Sequence, residues 1–255
     1  MKKLLIYICL LSFISSFSKA DSNMHTDASS PENLNNFDIN NLVFIENKGQ
    51  WDEEVMFLAK TNGMNAWITK NGIMYDFYTI KSEKKNKAGD EILNSMPDVD
   101  EVEDFTMQRH VVNMAFKGSK NSMVRGTIQK SGYYNYFIGN DESKWARKVR
   151  LYKEVNMENI YEGVDARLYF EKGRVRYDLI VTENADISQM KMEFEGQEEL
   201  FVNENGELLI QTSLGTVEHR NIFAYQEIDG KKKEVECMFK IENGRVEFKV
   251  GNYNT

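Results

Sequence analysis

The sequence predicts an all-β fold, an antiparallel β-sandwich-like domain with very little helix. Short apolar or alternating runs follow one another at close spacing from Leu42 onward. Turn dipeptides such as Asn-Gly separate many of these runs, and no long stretch repeats its apolar residues with helical spacing. The helical turns that we expect are short ones at 141–146 and 186–189.

The first segment of the chain predicts a secretory signal peptide over residues 1–20. Lys2 and Lys3 precede an apolar and hydroxylic run over 4–17, and small residues end the segment at Ala20, where a signal peptidase would cut. A membrane anchor needs about 20 apolar residues, which is more than this run provides. We therefore expect cleavage after Ala20 and export to the periplasm, the cell surface or the medium.

Residues 21–40 are rich in Asp, Asn and Ser and predict a flexible leader. The whole chain has 32 basic and 40 acidic residues; loss of the signal peptide removes three lysines and leaves 29 against 40, a net charge of −11. Such a charge disfavours nucleic acid and anionic membrane surfaces as partners. Cys9 would leave with the signal peptide, so Cys237 has no partner for an internal disulfide.

An all-β domain is predicted over residues 41–253. Its expected strands are, in chain order, 55–60, 66–68, 73–80, 111–116, 133–138, 166–170, 175–181, 190–194, 200–202, 207–212, 222–228, 234–241 and 245–250.

The pattern of strands stops at 81–108, which predicts a long mobile loop between two sub-lobes, 41–80 and 109–253. Its acidic part, 90–104, contains seven acids and no base. Clustered carboxylates are the ligands that calcium prefers, but the segment lacks the glycine and the ligand spacing of known calcium loops. A solvated loop is the preferred interpretation, and calcium binding is the alternative.

Two hairpins can be paired residue by residue around their turns. Around Asn243-Gly244, the pairing sets Lys240 opposite Glu247 on one face and Phe239 opposite Phe248 on the other. Around Lys172-Gly173, it sets Arg167 opposite Asp178 and Glu171 opposite Arg174, while Leu168 meets Tyr177. Matched charges on one face and apolar pairs on the other support both registers.

No sequence signature of catalysis, cofactor binding or metal binding is found. The closest glycines, Gly126 and Gly132, are six positions apart, which excludes the glycine spacing of nucleotide-binding loops. His25 falls in the leader, and His110 and His219 lie outside any metal or triad motif, so both are predicted as surface strand residues. We expect no enzymatic activity.

Two further groups of side chains are candidates for a reactive site. Cys237 shares its predicted face with Phe239, which favours a buried, unreactive thiol. Asp165, Glu171 and Asp178 could form a glycosidase pair, but arginines face two of them, and partnered carboxylates are expected to have a lowered pKa and to make poor general acids.

An aromatic group offers the one candidate binding site. Its residues are Trp51, Tyr134, Tyr136 and Trp145, drawn from the run Tyr133-Tyr134-Asn135-Tyr136-Phe137 and from isolated tryptophans. Exposed rings of this kind stack on sugars, which favours a carbohydrate-binding module. Because side chains alternate in a strand, at least half of the run is expected in the core instead.

Several segments together resemble a known family. They are FIENKGQW, LAKTNGMNAWITKNGIMYDFY, SGYYNYFIGNDESKW, LYKEVNMENIYEGVDARLYF, RYDLIV and GELLIQTSLGTVEH. They are similar to an uncharacterised bacterial domain that precedes SBBP-type β-propeller repeats in secreted and surface proteins, often of Bacteroidota. The resemblance implies an extracellular all-β module without established catalytic residues. The chain ends at GNYNT, where such relatives continue into the repeats, which predicts a truncated or stand-alone copy.

The leading functional expectation is thus a non-enzymatic surface, adhesion or scaffold module without cofactors. Its expected partners are its own downstream repeat domain, a surface protein or a glycan. The alternative is a carbohydrate-binding module that uses the exposed aromatic residues.

Overall fold

A computed structural model describes residues 3–14, 42–83, 104–119 and 122–254. The predictions for the leader at 21–40, for His25 and for most of the acidic segment 90–104 lie outside these ranges. The described part is almost entirely antiparallel β-structure, as predicted. Its strands are β1 Lys3–Ile14, β2 Phe44–Glu46, β3 Val55–Thr61, β4 Met64–Thr69, β5 Gly72–Glu83, β6 Asp104–Phe116, β7 Met123–Tyr136, β8 Ala146–Tyr161, β9 Val164–Glu171, β10 Arg174–Thr182, β11 Met192–Glu195, β12 Glu199–Val202, β13 Leu208–Thr212, β14 Gly215–Ile228, β15 Lys231–Val235, β16 Cys237–Glu242 and β17 Arg245–Val250.

Two single-turn 3-10 helices complete the described elements, at Glu142–Lys144 and Ile187–Gln189. Both fall inside the predicted helical turns. An aspartate begins each of them: the side chains of Asp141 and Asp186 accept the backbone N–H two residues later, at 3.1 and 2.9 Å. This is the usual capping interaction, and it explains why short polar segments form turns here.

The long strand β8 divides the sheet into two branches. One edge of β8 pairs with β7, while its other edge pairs first with β2 and then with β9. From β2 the first branch continues through β3, β4, β5, β6, β11, β17 and β16. From β9 the second branch continues through β10, β1 and β14, and β13 and β15 pair with successive parts of β14.

The two branches enclose one main hydrophobic core. His219 on β14 shows the contact directly, because its ring lies 6.3 Å from Tyr75 on β5 and 6.2 Å from Phe239 on β16, measured between centroids. Phe44 on β2 lies 4.7 Å from Phe170 on β9. Contacts between facing branches make the fold sandwich-like, with strand side chains alternating between the core and the outside.

Both sequence-derived hairpin registers are confirmed. Arg167 lies opposite Asp178 across β9 and β10, and Lys240 lies opposite Glu247 across β16 and β17. In each turn the central residues have positive φ, 49° and 82° at Lys172-Gly173 and 51° and 74° at Asn243-Gly244. Two-residue turns with this geometry match the right-handed twist of the strands, which fixes the register.

Other strand boundaries differ from the prediction. β8 was not expected at all, and bulges explain why, since Lys148 and Asn159 have positive φ and break its apolar alternation. The expected run 234–241 is two strands divided at Glu236, whose carbonyl accepts the backbone N–H of Gly251 at 2.7 Å. β5 and β6 also extend into both ends of the predicted loop 81–108.

The N-terminal segment that predicts a signal peptide forms strand β1. It lies between β10 and β14 and pairs antiparallel with both. A membrane-spanning helix is not found among the residues that the structure describes.

Candidate functional site

A second, smaller core lies on the outer face of the sheet where β2 meets β8. It contains Val43, Ile45, Ala146, Val149 and Leu151, all buried. Trp51 and Tyr136 pack over it and are themselves partly buried. Two aromatic side chains are therefore held at the surface by an apolar base.

Trp51 is positioned by a loop that a single asparagine organises. The side-chain amide of Asn47 donates to the carbonyls of Asp52 and Val55, both at 2.7 Å, and its oxygen accepts the backbone N–H of Gly49 at 3.0 Å. Gly49 has a φ of 102°, a left-handed conformation that favours glycine. The loop is thereby fixed on both sides of Trp51.

Three of the four predicted binding residues come together in this region. The ring centroids of Trp51 and Tyr136 are 5.4 Å apart, and those of Tyr136 and Tyr134 are 6.5 Å apart. Trp67 on β4 adds a fourth ring, 5.4 Å from Trp51 and perpendicular to it. We call Trp51, Trp67, Tyr134 and Tyr136 the aromatic surface.

Trp145, the fourth predicted residue, belongs to a separate pair. Its ring lies 5.3 Å from that of Phe137, and its indole N–H donates to the carbonyl of Gly139 at 3.1 Å. The guanidinium of Arg147 lies over the Phe137 ring at 5.6 Å. Trp145 thus fixes the turn after β7, while Phe137 is 55% exposed.

The expectation that half of the aromatic run 133–137 lies in the core is wrong. Tyr133, Tyr134 and Phe137 are exposed, and Tyr136 is only partly buried. Among the described strands β7 pairs with β8 alone, and its register shifts twice near this run. An irregular strand end at the edge of a sheet has no second layer to cover it, so alternation does not bury its side chains.

A further exposed surface was not anticipated from the sequence. On β6, Phe105, Met107 and Val111 lie on the same face, with Arg109 between the last two, and Ile80 on β5 lies directly opposite Met107. All four are large apolar side chains exposed to solvent, with Phe105 the most exposed at 56%. We call these four residues the ribbon face. Two of its residues, Phe105 and Met107, lie inside the predicted loop 81–108, where charged and polar neighbours conceal the alternation.

His110 lies on β6, partly exposed, and links three segments. Its Nδ1 accepts the backbone N–H of Ser213 at 3.1 Å and lies 2.9 Å from the Ser213 hydroxyl oxygen. Its Nε2 lies 2.7 Å from the carbonyl oxygen of Gly196. Because a backbone N–H can only donate, Nδ1 is the acceptor and the ring proton sits on Nε2. The arrangement ties two loops to β6.

The prediction that His219 is a surface residue is wrong. Its side chain is fully buried, surrounded by the rings of Tyr75, Tyr177, Phe194 and Phe239. Burial lowers its pKa to about 3, so the ring is neutral at ordinary pH. The strand carrying it was predicted to begin later, at residue 222, which hid its inward orientation.

The carboxylates that are candidates for a glycosidase pair are not both accessible to a substrate. Asp178 is fully buried and accepts hydrogen bonds from Arg167 at 2.9 Å and Tyr169 at 3.1 Å. Burial outweighs these partners and raises the pKa of Asp178 to about 6, so the expected lowering is wrong. Arg176, which pairs with Glu171, also approaches Asp178. An acid that no substrate reaches serves structure despite its raised pKa.

Cys237 is partly buried and packs against the main core. Burial raises the pKa of its thiol to about 12, which keeps it protonated and unreactive. Its predicted neighbour Phe239 is buried, but Ile241 at the end of the strand is 37% exposed. Among the described residues, no group of three or more His, Cys, Asp or Glu side chains is placed to hold a metal ion.

The chain matches a known protein family. The model of a family described as Domain of unknown function (DUF7948) matches residues 44–255. No curated protein and no solved structure matches the chain.

Proposed function

The chain belongs to this family of domains of unknown function, and from that premise we propose that it is an exported, non-enzymatic surface or adhesion module that supports a neighbouring β-propeller repeat array. The observation that carries the proposal is the ribbon face. The two-layer domain exposes four large apolar side chains on one face of two adjacent strands, with Arg109 between Met107 and Val111. Contiguous apolar surface of this kind is typical of interaction sites.

The geometry of the ribbon face suits docking against another β-structure. Both faces of β6 are solvent-exposed between Phe105 and Arg109, so the ribbon is reachable from either side. Arg109 lies on the same face and is bound by the buried carboxylate of Asp76, which Asn65 also contacts at 3.2 Å. An apolar centre bordered by an oriented charge is the usual composition of a protein interface.

The sequence features supply the export and the partner in this proposal. The ordered charged, apolar and small-residue regions at the N-terminus support cleavage and export. The resemblance to domains that precede SBBP-type repeats supports a β-propeller as neighbour. Mass spectrometry of the exported protein tests the first point: we expect a chain starting at Asp21, and recovery of residues 1–20 would contradict export by cleavage.

Docking is tested by titrating the full chain against a purified SBBP-type β-propeller repeat array. We expect saturable binding that weakens at least tenfold in the double variant Phe105→Ser, Met107→Ser. The matched control is Thr106→Ala, Gln108→Ala, which changes the opposite face of the same strand and should bind like wild type. Equal affinities of both double variants, or no binding at all, would contradict the scaffold role.

Carbohydrate binding is the second candidate, and the aromatic surface favours it. Tyr134 is 44% exposed beside Tyr136 and Trp51, so neighbouring rings offer a platform for a sugar. A glycan array probed with the full chain tests this role. Tyr134→Ala should abolish any specific signal, whereas Tyr133→Ala, at the preceding position of the same strand, should preserve it.

A further inference from the structure

Strand β1 connects two parts of the sheet. It pairs with β10 from Lys3↔Thr182 to Cys9↔Arg176 and with β14 from Lys3↔Glu227 to Ile14↔Thr216. The other edge of β10 is occupied by β9, and the other edge of β14 by β13 and β15. The second branch of the sheet therefore reaches β14 through β1. We call the position between β10 and β14 the strand slot.

The segment that fills the strand slot is also the segment that the sequence predicts to be cut off. Cleavage after Ala20 would leave the edges of β10 and β14 facing each other across the width of one strand, a gap of about 9.6 Å. Both edges would present backbone N–H and C=O groups without partners. Such groups are strongly driven to pair with another extended chain.

The strands that border the strand slot belong to the interior of the protein. With β1 in place, consecutive residues are buried on both of them, so that neither strand has a solvent-facing side at these positions. They are Tyr177, Asp178 and Leu179 on β10 and Val217, Glu218 and His219 on β14. An empty slot would admit water beside the aromatic rings around His219.

The chemistry of a suitable occupant follows from these neighbours. Apart from Lys3, residues Lys3–Ile14 are uncharged and mostly apolar, as buried surroundings require. The leader 21–40 contains several Asp residues and Pro31, which removes a backbone donor, so it is a poor replacement. A mostly apolar, uncharged strand from outside the exported chain would pair with the backbone groups of β10 and β14. It would also suit the buried residues beside them.

We propose that the strand slot between β10 and β14 is a strand-acceptor site, filled in the exported protein by an uncharged apolar segment of a different protein that runs antiparallel to both strands. This rests on the export that is part of the proposed function. Backbone pairing supplies the affinity in this mode of recognition, and the buried side chains of the acceptor supply the selectivity.

The register of the strand slot is tested first in the full chain. Cys9 lies opposite Arg220 on β14, and Cα atoms of directly opposed antiparallel residues are about 4.5–5.5 Å apart, within the range of a disulfide. In a Cys237→Ala background, Arg220→Cys should form a disulfide with Cys9 under mild oxidation. The control Lys232→Cys, on β15 and opposite Glu227, should not. The reverse result would overturn the placement of the slot.

Strand acceptance is tested with a fluorescent peptide of residues 3–14 carrying a lysine tail for solubility. A protease site inserted after Ala20 allows the folded full chain to be cut; it is then unfolded, freed of the short segment and refolded with or without the peptide. We expect one peptide per chain and a higher melting temperature with the peptide. A peptide with Leu5→Pro and Ile6→Pro, which removes one donor toward each edge, should bind at least tenfold more weakly.

Each other outcome overturns the proposal. Failure of the peptide to bind, or equal binding of the diproline peptide, would mean that the strand slot closes without a strand. A dimer that the peptide dissociates would assign the slot to a second copy of this chain. Export and acceptance remain distinguishable, since retention of residues 1–20 on the exported protein contradicts the former without changing the peptide result.

Discussion

At the scale of single residues, burial and charge compete most clearly at Asp178. Its raised pKa, about 6 against an ordinary value of 3.8, means that the folded state holds a proton between about pH 4 and 6 that the unfolded state has lost. The contribution of Asp178 to the free energy of unfolding therefore decreases as pH rises from about 4 to 6, and it is constant above that range. His219 acts in the opposite direction, because its lowered pKa favours unfolding as pH decreases.

The variant Asp178→Asn isolates the first effect. We expect the difference in unfolding free energy, wild type minus variant, to fall between pH 4 and 6 in urea denaturation series. Asp186→Asn is the control, since hydrogen bonds from Ser188 lower the pKa of this exposed cap and its contribution is lost only as pH falls. If the difference between wild type and the Asp178→Asn variant does not change with pH, Asp178 is ionised throughout and its raised pKa is wrong.

Ile128 is a second residue with a local conflict. Its φ is 54°, a left-handed conformation that β-branched side chains avoid, and its side chain is exposed at 56%. Ile128→Gly should raise the unfolding free energy by about 1 kcal/mol, because the strain is relieved and little packing is lost. The control Ile241→Gly lies in a regular strand and should lower it by about 0.5–1 kcal/mol. Destabilisation by both changes would refute strain at Ile128.

At the scale of elements, hairpins were predictable and the long strands were not. The β9–β10 and β16–β17 registers follow from two-residue turns and matched side chains, all of which are local in the sequence. β8 required long-range information, because its bulges at Lys148 and Asn159 interrupt alternation and its neighbours change along its length. The exposure of the aromatic side chains at the irregular end of β7 could not be predicted for the same reason.

The two confirmed hairpins also allow a matched comparison of ion pairs. Asp178 is fully buried beside Arg167, whereas Lys240 and Glu247 are 41% and 15% exposed at 2.9 Å separation. Arg167→Ala should cost about 3–5 kcal/mol at pH 7, because it leaves a buried carboxylate with fewer partners. In double-mutant cycles Lys240 and Glu247 should couple far more weakly, because solvent screens an exposed pair. A coupling at Arg167–Asp178 no larger than this would mean that solvent reaches the buried pair.

At the scale of the whole molecule, the features that could not be predicted from the sequence are those formed when the two branches of the sheet pack together. His219 and the strand slot depend on residues far apart in sequence, since β1 at the N-terminus meets β14 near the other end. The aromatic surface likewise joins Trp51 to Tyr136 through a core that no local pattern reveals. Local chemistry therefore identified individual aromatic candidates, such as Trp51 and Tyr136, while their arrangement around the second core and the exposure of the ribbon face required the fold.

The final prediction, also at this scale, is that the full chain has no hydrolase activity, although the fold brings His110 next to Ser213. A catalytic histidine must take the proton of its nucleophile, yet Nδ1 of His110 already accepts the backbone N–H of Ser213 and Nε2 is committed to the carbonyl of Gly196. We expect a fluorophosphonate probe to leave Ser213 unmodified, and esterase, peptidase and glycosidase substrates to remain intact. His110→Ala should instead lower the melting temperature, because it unties two loops from β6. Turnover that is lost in both Ser213→Ala and His110→Ala would establish an enzyme, since a purely structural histidine would affect stability alone.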